Sequence, residues 1–93
     1  MSFTKETAVE AAKEDLAGRL KSKEDNIELV SVDEVEFPDM SLGAAARGEV
    51  AAQMISSGWR IKLLADERNY EYRADKYQLR LHNFKGKNYV IAS

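Results

Sequence analysis

The side chains best suited to grip a ligand gather in one stretch, Pro38-Asp39-Met40-Ser41-Leu42-Gly43-Ala44-Ala45-Ala46-Arg47-Gly48. Ser41 supplies a hydroxyl, and Arg47 supplies a guanidinium that meets carboxylate or phosphate oxygens with paired N–H donors. Gly43 and Gly48 leave the backbone free to turn and to approach a ligand closely. With Trp59 and Arg60 a few residues on, the expected ligand- or partner-binding set is Ser41, Gly43, Arg47, Gly48, Trp59 and Arg60. The chemistry of this set is recognition; the competing reading of the stretch is a crossover held in place by Leu42 and Met40 plugging the core. A nucleophile needs a base in reach, and the only imidazole is His82. There is no cysteine, so thiolate catalysis, disulfides and Cys-based zinc sites are excluded. Phosphate-loop and dinucleotide-loop motifs are absent.

A lone His82 makes no metal site. Glu24-Asp25 and Asp33-Glu34-Glu36 are sequential acids without calcium-loop spacing. The expectation is a domain that is not an enzyme, with no catalytic residue, no metal and no cofactor. Cations and rings interleave from Trp59 onward: Arg60, Lys62, Arg68, Tyr70, Tyr72, Arg73, Tyr77, Arg80, Phe84, Lys85 and Lys87. Sheets that bind single-stranded nucleic acid use such a mixture. Strand alternation, however, sends Trp59, Ile61 and Leu63 to one face and Arg60 and Lys62 to the other. With a pI of 5.4, a nucleic-acid partner is not expected.

The elements that position these residues follow from periodicity. Val9, Ala12, Leu16 and Leu20 share a face, which predicts a helix over residues 4–21 with Thr4 as N-cap. Residues 22–26 read as a turn. Ile27–Phe37 reads as a long strand whose apolar phase changes near Val30–Asp33, the mark of a bulge. Pro38, lacking an N–H, ends pairing. Strand signals resume at Val50–Ile55, Ser56-Ser57-Gly58 reads as a turn, and Trp59–Ala65 as a half-buried strand. Asp66-Glu67, Asp75-Lys76 and Lys85–Asn88 read as turns between strands around Tyr70/Tyr72, Leu79/Leu81 and Tyr89-Val90-Ile91. The predicted fold class is α+β: one N-terminal helix on a curved antiparallel sheet of four to five strands.

Ninety-three residues form a single domain, 1–93. Residues 1–37 carry five Lys/Arg and ten Asp/Glu, a charge of −5; residues 59–93 carry eight and four, a charge of +4. The two halves either attract each other in the fold or leave a basic face for a partner. No signal core or membrane-length apolar run is present, so the expected location is the cytoplasm and no membrane partner is expected.

Around the loop the chain resembles a family of small bacterial domains without an assigned activity. That family's stretch runs Phe/Trp-Pro-Asp, Ser-Leu-Gly, Cys-Pro-Glu-Pro, Gly, Gln and Pro-Gly-Tyr-Arg-Ile. The matching residues are Phe37-Pro38-Asp39, Ser41-Leu42-Gly43, Gly48, Gln53 and Gly58-Trp59-Arg60-Ile61. Ile27–Val32 and Tyr70-Glu71-Tyr72 are similar too. Where the family carries Cys-Pro-Glu-Pro, this chain carries Ala44-Ala45-Ala46-Arg47, so any role of that thiol or acid is lost. The resemblance implies a fold and no mechanism. The helix-then-meander order is also similar to cystatin-type and PepSY-type domains, although Gln53–Gly58 lacks the Gln-x-Val-x-Gly hairpin of cystatins.

The function these readings predict is a small non-catalytic binding module that uses the 38–48 loop and the adjoining Ser56–Trp59 segment. Its partner is a protein or small ligand, and the chain is a monomer or a weak homodimer. The alternatives are an assembly protein pairing through the edge strand Tyr89-Val90-Ile91, or a peptidase-inhibitor-like domain.

Overall fold

A computed structural model describes residues 2–93. Helix α1, Lys5–Leu20, starts at Thr4, whose hydroxyl accepts from the Thr7 N–H at 3.2 Å while the Thr4 N–H donates to the Thr7 hydroxyl at 2.8 Å. This reciprocal cap satisfies two otherwise orphaned donors. The helix stops at Lys21, where φ is 53° and the chain takes the left-handed turn that ends many helices. Ala8, Ala12 and Leu16 are buried, and the two alanines let the axis lie close to the sheet.

After a 3-10 turn at Glu24–Asn26 come five strands: β1 Glu28–Phe37, β2 Ser56–Ala65, β3 Arg68–Ala74, β4 Leu79–Phe84 and β5 Lys87–Ala92. They pair antiparallel in sequence order, leaving β1 and β5 as open edges. Asp66-Glu67 and Lys85-Gly86 both have positive φ at two consecutive residues, the geometry two-residue hairpin loops require. The β1–β2 register slips between Leu29 and Ser31, so Val30 is the extra residue behind the phase change.

One face of the sheet carries Trp59, Ile61, Leu63, Tyr72, Leu79 and Leu81, which with the α1 residues form the main core. A polar stitch crosses this layer: the Tyr72 hydroxyl donates to Asp15 at 2.7 Å, and Asp15 also pairs with Arg19 at 2.7 Å. The Arg19 guanidinium lies 4.7 Å from the Tyr89 ring centre.

Two expectations between Pro38 and Trp59 are corrected. Val50–Ile55 is not a strand, and Ser56-Ser57-Gly58 is not a turn but the start of β2. The reason lies in the register. Phe37 pairs with Ser56 as the last rung, and the residue after β1 is Pro38, which has no N–H to offer Ile55. The β-type residues of 50–55 therefore have no partner strand. Gly58 sits inside β2 because a Cβ there would lie 2.0 Å from the Ala74 carbonyl oxygen. Only glycine permits that approach.

Candidate functional site

The second face of the sheet is where the 38–49 loop lies. Phe37, Ser56, Gly58, Arg60 and Lys62 point this way by alternation, as do Glu71, Arg73, Arg80 and His82 on the neighbouring strands. Leu42 and Ala44 are fully buried although they are not part of the helix-side core. They fill the space between the loop and this face, making the loop a third layer.

The loop is shaped by Asp39. One carboxylate oxygen accepts from the Ser41 N–H at 2.9 Å, the Ser41 hydroxyl at 2.6 Å and the Gly43 N–H at 3.2 Å. Those donors, with the Ser41 hydroxyl foremost, hold the Asp39 carboxyl below its ordinary pKa. Leu42 and Gly43 both adopt positive φ, 59° and 65°. For a buried leucine this conformation carries strain. It turns two successive carbonyls toward one guanidinium: Arg73 Nη1 donates to the Leu42 and Gly43 oxygens, each at 3.0 Å.

Side chains from the sheet and from the turn before β4 complete the pattern. Gln78 Nε2 donates to the Met40 carbonyl at 2.7 Å, Arg80 Nη1 to Ala44 at 3.3 Å, and Asn88 Nδ2 to Ala45 at 2.9 Å. Loop backbone that has left the ladder thus finds its partners in side chains, as buried carbonyls must. Arg80 is only 5% exposed and forms a two-pronged ion pair with Glu49, Nη1 to Oε1 and Nη2 to Oε2 at 2.7 Å. The Arg80 bond drives the Glu49 carboxyl down to about 2.

Arg47 and Gly48 form the tip of a turn closed by the Glu49 N–H to the Ala46 carbonyl at 3.0 Å, with Gly48 at φ 80°. From that tip the chain runs through residues 50–55 without regular structure. The Ala52 carbonyl accepts from Met40 at 3.0 Å, and the far end is fixed by the Ser56 hydroxyl donating to buried Asp75 at 2.7 Å. Along this strap Val50 is 95% exposed, Met54 64% and Ile55 69%.

The six expected site residues therefore do not converge. Ser41 is buried with its hydroxyl committed to Asp39, and Gly43 is locked under Arg73. Arg47 and Gly48 are exposed at the turn tip. Trp59 lies on the helix side, and Arg60 lies on the second face, 3.6 Å from Glu71. A concavity of about 410 Å³ bordered by Glu34, Glu36, Trp59 and Lys76 flanks Gly58. The sequence reading missed Arg73, Gln78, Arg80, Glu49 and Asn88 as the residues that hold the loop. Their one visible signal was the presence of two arginines in a strictly alternating meander.

No cluster of three or more His, Asp or Glu side chains among the described residues is arranged to hold a metal ion. Among them, too, no helix is long and apolar enough to cross a membrane.

This chain belongs to the family described as Domain of unknown function (DUF8738), whose model matches residues 9–82. The match takes in the whole loop and every residue that clasps it except Asn88. Comparison with curated proteins and with solved structures finds no significant match.

Proposed function

We propose that this domain is a non-catalytic protein-binding module whose contact surface is the Val50–Ile55 strap with Arg47 beside it. The observation that carries this reading is the exposure of Val50, Met54 and Ile55 on a segment fixed at both ends. Large apolar side chains grouped on a surface mark interaction sites. A strap already tied down loses little conformational freedom on binding. Ser41, Gly43 and the rest of the 38–49 loop act beneath it as the mount. The absence of catalysis is part of the proposal: Asp39, Glu49, Asp75, Arg73 and Arg80 are all engaged in holding backbone or one another.

The test is affinity capture from the source organism's extract with the wild-type domain and with a Val50→Asp, Met54→Lys, Ile55→Asp variant. A Tyr77→Ala variant serves as control, since Tyr77 is exposed elsewhere. Proteins held by the wild type and the control are expected to be lost from the strap variant by tenfold or more. Retention at unchanged affinity by the strap variant refutes the reading.

A second reading rests on β5, an open edge with Val90 41% exposed. Self-association through it is favoured over β1, whose Glu28, Asp33, Glu34 and Glu36 repel a like edge. Light scattering that gives a monomer for both the wild type and Val90→Lys at high concentration removes this reading.

A further inference from the structure

The loop covers only part of the second face. Beyond it, the open part forms a depression of about 720 Å³ lined by Lys62, Arg68, Lys85, Asn69, Asn83 and His82. That volume is within the range of small-ligand sites. The lining is rich in donors and short of acid. Lys62, Arg68 and Lys85 are exposed and have no ion-pair partner among the described residues. The one acid in the lining, Glu71, is already taken: Arg73 Nε bonds it at 2.7 Å and Arg60 Nε lies 3.6 Å away. Arg60 Nε is buried and has no hydrogen-bond partner among the described residues.

The rest of the chain does not neutralise this region. No ion pair among the described residues joins the acidic 1–37 segment to the basic 59–93 segment. The surplus of cations in the last third is partly spent on the clasp, through Arg73 and Arg80, and Lys62, Arg68 and Lys85 are left around this hollow.

We propose that the Lys62–Arg68–Lys85 depression binds a small, multiply charged phosphate-type anion. Ammonium, guanidinium and amide N–H groups converge there, and oxyanions accept from all three. The hollow is rimmed by cations on separate strands and turns, which suits a compact anion with charge on several oxygens. A single-stranded nucleic acid is the competing occupant. It would need rings stacked beside the cations. Tyr70 and Phe84 also line the depression, with Lys85 Nζ 5.4 Å from the Phe84 ring centre, but a net charge of −2 and a pI of 5.4 favour the compact anion over a long polyanionic strand.

His82, the only histidine, lines the depression and reports on it. Burial first, then Arg73 and Arg60, lower its pKa, and Glu71 opposes them. The experiment is an NMR pH titration of the His82 ring with millimolar inorganic pyrophosphate, with sodium chloride at equal ionic strength, and with a short oligothymidylate. Pyrophosphate is expected to raise the His82 midpoint by about half a unit or more over chloride. It is also expected to give a saturable shift at fixed pH. A Lys62→Gln, Arg68→Gln, Lys85→Gln variant should lose that response, and a Lys62→Gln single variant gives a reduced one if the triple variant does not fold. Equal midpoints in pyrophosphate and chloride overturn the proposal. So does a response to the oligonucleotide without one to pyrophosphate.

Discussion

Replacing Glu49 by Gln tests the clasp at its one ion pair. Arg80 is nearly sealed from water, and Glu49 satisfies both of its terminal nitrogens. The variant leaves the guanidinium with neutral acceptors only, Gln78 at 2.7 Å and the Ala44 carbonyl at 3.3 Å. Breaking a fully buried pair costs about 3–5 kcal/mol. The Glu49 side chain is 29% exposed, and solvent screening brings the expected loss to about 2 kcal/mol. For a domain of this length that is a fall in Tm of about 10 °C.

The sign with pH follows from the same carboxyl. Its pKa is about 2 when folded against 4.5 when unfolded, so its contribution is complete above 4.5 and is lost as pH falls toward 2. By pH 3 less than half remains. The assay is urea unfolding of the wild type and the variant at pH 7 and pH 3, followed by the single tryptophan, Trp59. At pH 7 the midpoint should drop by about 1–2 M, and at pH 3 the gap should shrink by more than half. A variant within about 0.5 kcal/mol of wild type at pH 7 refutes the clasp, because that is the scatter of ordinary surface changes. A gap equally large at pH 3 shows that the loss is not electrostatic.

Further outcomes follow from the packing of two glycines and from the buried Tyr72 hydroxyl. Gly58→Ala drives a methyl into the Ala74 carbonyl at 2.0 Å and should cost about 3 kcal/mol or more. Gly18→Ala, inside α1 with nothing within 4 Å of the new carbon, should instead stabilise by about 0.5–1 kcal/mol; thermal melts of both check the pair. Tyr72→Phe removes the hydroxyl bond to Asp15 and should cost about 1.5 kcal/mol. In the wild type, burial and the Asp15 bond raise the Tyr72 phenol above the usual tyrosine range. The folded protein therefore loses stability as pH rises through 10, and an ultraviolet titration should show one of the four tyrosines staying protonated until unfolding.

The helix and the meander were legible because their periods are properties of local geometry. Val9, Ala12 and Leu16 announce one helical face, and Ile61/Leu63 and Leu79/Leu81 announce strands whatever surrounds them. The bulge at Val30 was legible for the same reason, as a break in phase. What alternation cannot say is what covers the other face. It placed Arg73 and Arg80 opposite the main core and so suggested solvent, whereas the loop lies over them. Residues 50–55 misled in the opposite sense. Val50 and Ile55 have the shapes that pack well in a sheet, but strand preference is a capacity to pair, and Pro38 removes the partner. Ser41 misled because its neighbour Asp39 captures the hydroxyl, a local bond that a Pro-Asp-x-Ser turn makes readable only once the turn is known.

The loop's chemistry runs in an unusual direction, with side chains of the sheet reading the backbone of the loop. Met40, Leu42, Gly43, Ala44 and Ala45 offer carbonyls, and their own side chains are small or inward. This explains how the Ala44-Ala45-Ala46 run is compatible with an ordered segment: the order comes from Arg73, Gln78, Arg80 and Asn88, so the loop needs shape and carbonyl direction more than side-chain chemistry. It also separates two jobs along the chain. Residues 38–49 are fixed by contacts beneath them and are poorly placed to change partner. Residues 50–55 carry exposed apolar side chains and a single backbone bond to the mount at Ala52, which leaves them free to vary in sequence without loosening what holds them. A binding surface that can be altered without unfolding its support is the arrangement a recognition domain needs, and in this fold the strap is where that freedom lies.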